Sequence, residues 1–111
     1  MKIDKDTEQK IAQLQMFEQN LQNFFIQRQT FQNQNAEIEN ALKELNDLKE
    51  DNAFKLVGNI MLKKKKKDLV EDLKSKKEVL ELRIKNIEKQ ENKIKEKSKE
   101  IRDEVMKELE K

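Results

Sequence analysis

The 111-residue sequence has no cysteine, proline, tryptophan, tyrosine or histidine, and a single glycine. Each absence closes a possibility. Without cysteine there is neither disulfide nor thiol chemistry. Without histidine, and with Thr7, Thr30, Ser75 and Ser98 as the side-chain hydroxyls, no nucleophile–base set can be assembled. One glycine leaves no loop to cradle a phosphate. The carboxylates alternate with lysines at helical spacing, as solvated faces do, and form no ligand cage. An enzyme is therefore disfavoured, and neither cofactor nor metal is expected. No apolar run is long enough to span a bilayer and no signal-peptide core follows Met1. These features read as a cytoplasmic chain without a membrane partner. With 34% hydrophobic and 43% charged residues, a conventional globular core is hard to build. The same numbers suit long helices in a coiled coil.

The overall charge is nearly balanced, 25 basic against 23 acidic side chains, which argues against nucleic-acid binding by the whole chain. The distribution is uneven. Residues 1–54 carry 6 basic and 10 acidic groups and residues 55–111 carry 19 and 13, so halves of opposite sign are expected to lie against each other.

Two arms carry a heptad seam. In the first, Leu14, Phe17, Leu21, Phe24, Arg28, Phe31, Asn35, Ile38, Leu42 and Leu45 alternate in steps of three and four. In the second the same alternation runs through Leu73, Lys77, Leu80, Ile84, Ile87, Glu91, Ile94, Ser98, Ile101 and Val105. The expected helices cover about residues 4–50 and 68–110, the second opened by a capping box of Asp68 and Glu71. The connection between the arms is too short to span one of them, so they must fold back antiparallel. Aligning the seams places Leu45 with Leu73, Ile38 with Leu80, Asn35 with Ile84, Phe24 with Ile94 and Leu14 with Val105, with no skipped layer. It also brings Arg28 to Glu91, the two seam charges of opposite sign. Such a pair fixes register, as a polar seam position like Asn35 can; the alternative is that Arg28 snorkels to solvent. Nine of the ten glutamines lie between residues 9 and 34, a solvated face without strong charge.

The stretch "AFKLVGNIMLKKKKKDL" interrupts this pattern. Phe54 and Leu56 alternate with Lys55 and Val57, Gly58-Asn59 marks a reversal, and Ile60, Met61 and Leu62 begin a return strand. The reading is a β-hairpin over about residues 53–64, the alternative a helical or disordered linker. A lone two-stranded hairpin is marginal and has open edges. Hairpins of several chains should therefore pair into an intersubunit barrel. Lys63 to Lys67 read as lysines blunting a sheet edge, with a nucleic-acid patch as the alternative.

The order helix, "FKLVGNIMLKK", helix resembles the beta-class prefoldin subunits, the group that includes archaeal beta subunits and eukaryotic prefoldin subunit 6. Phe54, Lys55, Val57, Gly58, Met61, Leu62 and Lys63 occupy that family's strand motif, F/Y-K-x-V/L-G-x-x-L/I-V-K, with mild aliphatic departures at Met61 and Leu62. "QRQ" at Gln27 to Gln29 and "LELRIKNIEKQENKIKE" at residues 80–96 also look like the family's. The resemblance implies a single domain over residues 1–111, mainly α, an antiparallel two-helix coiled coil with one hairpin at its base. It implies a heterohexamer of two alpha-class and four beta-class subunits. The hexamer holds non-native proteins without ATP and delivers them to a group II chaperonin.

Holding a client calls for exposed apolar groups on the distal arms. Met16, Ile26 and Met106 are the leading off-seam candidates there, and Met adapts to varied partners. Ile11, Phe25 and Leu109 are candidates too, or else widen the coil's own apolar stripe. A structural coiled-coil adaptor or filament subunit is the competing function.

Overall fold

The computed structural model describes residues 3–110. In chain order it contains α1 (Lys5–Asp47), β1 (Asn52–Val57), β2 (Ile60–Lys65) and α2 (Lys66–Glu110). This is the expected mainly α fold, two long helices joined by an antiparallel hairpin. No described helix is long and apolar enough to cross a membrane.

Local chemistry sets where each helix begins and ends. Asp4 caps α1. Its Oδ1 accepts the Thr7 backbone N–H at 2.7 Å and its carbonyl accepts the Glu8 N–H at 3.0 Å, satisfying donors that a helix start otherwise leaves orphaned. Hydrogen bonds from the Thr7 backbone and side chain hold the Asp4 carboxyl below its usual range, and the charge of Lys10 adds to this. Asp6 and Glu8 complement the positive end of the helix dipole. At the other end, Leu48 N–H is shared between the carbonyls of Glu44 and Leu45, and the helix stops at Asp47 rather than near residue 50.

The start of α2 corrects the sequence reading. Asp68 and Glu71 were expected to open this helix, but β2 runs directly into it at Lys66. The Lys66 N–H donates to the Asp51 carbonyl at 2.8 Å, and its ammonium reaches the Leu48 carbonyl at 2.7 Å. One residue thus ties the start of α2 to the end of α1, and a cap at Asp68 is not needed. Asp68 sits inside the first turn instead, where its charge still complements the dipole.

The chain divides into two compact units. One comprises the described residues up to Gln29 and from Lys85 onward, the other Thr30–Ile84. Each contains an antiparallel segment of α1 and α2. All ten expected seam positions of each helix are buried or half-buried. Among the described residues no side chain is completely buried, because two helices enclose one stripe and nothing more. Leu80 and Leu69 are buried in the hairpin-bearing unit; Ile87, Val105, Ser98 and Thr7 are buried in the other.

In that other unit Arg28 meets Glu91. Arg28 Nε donates to Glu91 Oε1 at 2.8 Å and Nη2 to Oε2 at 3.4 Å, a forked geometry that suits guanidinium and carboxylate. The Glu91 side chain is 8% exposed and that of Arg28 26%. Flanking the seam, Lys10 pairs with Glu104 at 3.2 Å and Asp6 at 3.3 Å, which holds the Lys10 ammonium above its usual range. In the hairpin-bearing unit Lys77 pairs with Glu39 at 3.4 Å, and Arg83 lies over the Phe31 ring. Asn35 is half-buried there, its Oδ1 without a hydrogen-bond partner.

Two expectations follow. Arg28→Ala strands a buried carboxylate and should cost roughly 3 kcal/mol, near the low end for such pairs because Arg28 is partly solvated. Arg28→Leu with Glu91→Leu should recover most of it. Urea unfolding at one fixed protein concentration gives the cycle, and a coupling near zero would contradict a register-setting role. The second concerns Asp4. Its depressed pKa means the cap's contribution is complete above the ordinary aspartate pKa and disappears as pH falls through the lowered value. Amide exchange at Thr7 should therefore be faster in Asp4→Ala than in the parent at pH 6, and equal in the two once Asp4 is protonated.

Candidate functional site

The hairpin is built on a two-residue turn. Cα partners run Val57 with Ile60, Leu56 with Met61, Lys55 with Leu62, Phe54 with Lys63, Ala53 with Lys64 and Asn52 with Lys65. Gly58 has φ +60°, and no described non-glycine residue has positive φ. Positive φ at the first turn position alone is the type II′ pattern, which suits the twist of a hairpin. The order Gly-Asn, weaker as a hairpin signal than Asn-Gly, is the order that this turn type requires.

Side chains alternate across the ribbon. Phe54, Leu56 and Met61 share one face; Val57, Ile60 and Leu62 share the other. Phe54, Leu56, Ile60 and Met61 are all more than 60% exposed, Val57 is half exposed and Leu62 only slightly less. A ribbon with one solvated face would alternate apolar with polar. This one is apolar on both faces near the turn, and its sheet has only two strands, so both outer edges stay unpaired. The ribbon thus leaves apolar side chains on both faces and backbone groups on both edges without partners in its own sheet.

The lysine run divides between two roles. Lys63, Lys64 and Lys65 end β2, and Lys66 and Lys67 begin α2. Lys63 and Lys65 are exposed along the strand, whereas Lys66 is half-buried with its ammonium on Leu48. Sequence reasoning missed that strap because a run of identical residues does not single out one of them.

In the other unit, Met16, Ile26, Phe25, Met106 and Leu109 are all exposed, Met16 most of all at 62%. The Arg28 guanidinium lies 5.3 Å from the centre of the Phe25 ring, so Phe25 is partly engaged. Ile11 requires a correction. It was expected off the seam, but it is half-buried and sits between Thr7 and Leu14 at seam spacing; the stripe extends one turn further than its Leu and Phe residues suggest. Ile3 is an exposed apolar residue that the sequence reading did not select, and so are Val79 and Leu82 on α2. The last pair was detectable as apolar residues out of step with the seam. Among the described residues no group of acidic side chains is arranged to hold a metal ion.

Comparison with known proteins agrees with this architecture. The family model described as "Prefoldin subunit" matches residues 8–111. The chain is 40% identical over 87 residues to the prefoldin subunit beta of Archaeoglobus fulgidus, covering 78% of this chain and 75% of that one. It is 36% identical over 90 residues to the corresponding subunit of Pyrobaculum neutrophilum, covering 80% and 71%. The crystal structure of the prefoldin beta subunit from Thermococcus strain KS-1 superposes with a TM-score of 0.90 at 34% identity, covering 97% of this chain and 96% of that one.

The turn yields a direct test. A Cβ added at Gly58 meets nothing within 4 Å, so the cost of Gly58→Ala is conformational and should be about 1–2 kcal/mol. Gly58→Asn should cost less, because asparagine tolerates the left-handed region. Equal unfolding midpoints for parent and Gly58→Ala would mean that the turn is not under this constraint.

Proposed function

The chain belongs to the prefoldin family, and from that premise we propose that it works as a beta-class subunit that holds non-native proteins on its distal arms. The family is one of chaperone holdases whose subunits form hexamers, and it is not an enzyme class. On this reading the hairpin residues Phe54, Leu56, Val57, Gly58, Ile60, Met61 and Leu62 join those of alpha-class and other beta-class subunits in a heterohexamer. The arms then hold a client and pass it, without ATP, to a group II chaperonin in the cytoplasm.

The observation that carries the reading is where the unburied apolar surface lies. In the hairpin-bearing unit it covers a ribbon too small to persist alone. In the other unit it is scattered in small pieces: Met16, the neighbours Phe25 and Ile26, and Met106 with Leu109 one turn on are exposed on a charged or polar background. A ribbon exposed on both faces and edges calls for a permanent partner. Scattered groups, each able to contribute about 1.5–3 kcal/mol when buried, suit transient contacts. Several arms in one complex then add weak contacts by multivalency. Met16 and Met106 bring side chains that adapt to varied surfaces. Ile11, half-buried in the seam, offers a client less than the others.

Changing Met16, Ile26 and Met106 to Ser together tests this. The hexamer should still form, since none of the three lies in the hairpin. Its suppression of aggregation of a denatured client should fall several-fold at equal concentration. Unchanged suppression by an intact hexamer would remove the holding role from these residues and favour a coiled-coil adaptor.

A further inference from the structure

The lysine run is only partly accounted for. Lys66 straps α2 to α1, whereas the ammonium groups of Lys65 and Lys67 make no ion pair. Both line a hollow of about 750 Å³ together with Asn46, Lys66, Val70 and Lys74. A second hollow, of about 390 Å³, is lined by Leu42, Lys43 and Lys77. The two share Asn46, Lys66, Val70 and Lys74. They form one open groove bordered by the end of α1 and the first turns of α2.

The charge of this groove is lopsided. Lys43, Lys65, Lys66, Lys67, Lys74 and Lys77 line it against Glu39, Asp51 and Glu71, and Glu39 is already paired with Lys77. Blunting a sheet edge accounts for lysines on β2 but not for Lys67 or Lys74 on α2. Lys66 and Lys67 stand in the first turn of α2, at the positive end of the helix dipole, where cations are unfavourable. Lys66 offsets this through its bond to the Leu48 carbonyl; Lys67 has no such partner. Lys67, Val70 and Lys74 follow at steps of three and four, so they share one face of the helix. Lys67 and Lys74 are exposed and Val70 between them is half-buried. The face is a small apolar floor between two uncommitted cations.

We propose that this groove binds an extended acidic segment of another protein, with an apolar side chain over Val70 and a carboxylate on each of Lys67 and Lys74. In an extended segment every second side chain points the same way, and four residues span about 13 Å. The seven residues from Lys67 to Lys74 rise about 10 Å along the helix, and the lysine stems cover the difference. The matching pattern is an acidic, an apolar and an acidic residue at alternate positions. Lys65 lines only the first hollow and Lys43 only the second, so acidic residues on either side of this core also meet a cation. A nucleic acid fits less well. Asp51 and Glu71 border the groove and oppose a continuous row of phosphates, and no aromatic side chain lines it for a base to stack on. The groove is independent of the holding role, since none of its lysines is among the residues proposed to hold a client.

The test uses hexamers assembled from this chain and a co-expressed alpha-class subunit. They are titrated against a fluorescein-labelled peptide carrying Glu-Thr-Leu-Thr-Glu between neutral flanks, and binding is followed by anisotropy. Lys67→Gln with Lys74→Gln should weaken binding at least tenfold. Lys93→Gln with Lys97→Gln, exposed lysines of the other unit, should change it less than twofold. Lys67→Glu with Lys74→Glu should lose the acidic peptide and take up Lys-Thr-Leu-Thr-Lys instead, a reversal that damage to the fold does not produce. No binding by the parent hexamer, or equal affinity in the parent and in the Lys67→Gln, Lys74→Gln hexamer, overturns the proposal. So does a short DNA duplex that binds the parent more tightly than the acidic peptide and is released by the same two substitutions.

Discussion

Two helices laid side by side can enclose only one stripe of each, and a two-stranded ribbon encloses nothing. No side chain among the described residues is completely buried. The seam spends its apolar residues holding α1 and α2 together, at Leu80, Ile87 and Val105 most fully. Whatever apolar surface remains must face water or another molecule. For a soluble monomer that surplus is a liability; for a subunit it is an instruction. The folding free energy of such a chain is not separable from its concentration, since assembly supplies burial that the fold lacks.

The surplus is not spread evenly. The unit of Thr30–Ile84 holds the hairpin and the Val79–Leu82 patch, and the other unit holds Met16, Phe25, Ile26, Met106 and Leu109. A contiguous ribbon with open edges favours one geometry and a lasting partner. Apolar pieces of one or two side chains, set among polar residues, favour none in particular. The polar seam residues serve a related purpose. An Arg–Glu pair in a largely apolar stripe gains little net stability over a hydrophobic pair, but a slip by one heptad would take the Glu91 carboxylate, 8% exposed, from Arg28 to Leu21 or Asn35, neither of which carries a charge to pair with it. Fixing register in this way decides which residues are left outside the seam, and therefore which are offered to a partner.

Much of the fold was legible in the sequence because its signals repeat. A three–four alternation over ten positions averages out local exceptions, and the requirement that both seams align without a skip brought Arg28 to Glu91. The hairpin was legible for the opposite reason: one glycine in a chain that has no other and no proline. Illegible features depended on single side chains. Nothing in "KKKKK" marks Lys66 as the residue that reaches the Leu48 carbonyl, and that contact draws the start of α2 ahead of Asp68. Ile11 looked off-seam because its predecessor in the stripe is Thr7, a polar residue buried by its part in the Asp4 cap.

The surroundings of the exposed apolar residues outside the hairpin-bearing unit differ between the two helices in a way that bears on the proposed holding role. Between Ile11 and Ala36, α1 carries two charged residues, Glu18 and Arg28, and Arg28 is already committed to Glu91. Met16, Phe25 and Ile26 therefore stand among glutamines and asparagines. On α2, Met106 and Leu109 stand among Arg102, Asp103, Glu104, Lys107, Glu108 and Glu110. Side-chain amides donate and accept hydrogen bonds without net charge, so on the proposed reading an α1 contact gains nothing from a client's net charge and loses nothing to it. Charged neighbours steer approach over roughly a Debye length and fade with salt. On that reading an arm whose first helix is sparsely charged between Ile11 and Ala36 and whose second is charged throughout would separate the two tasks: α2 would bias encounter, and α1 would retain whatever arrives, acidic or basic, through apolar contacts that salt does not weaken.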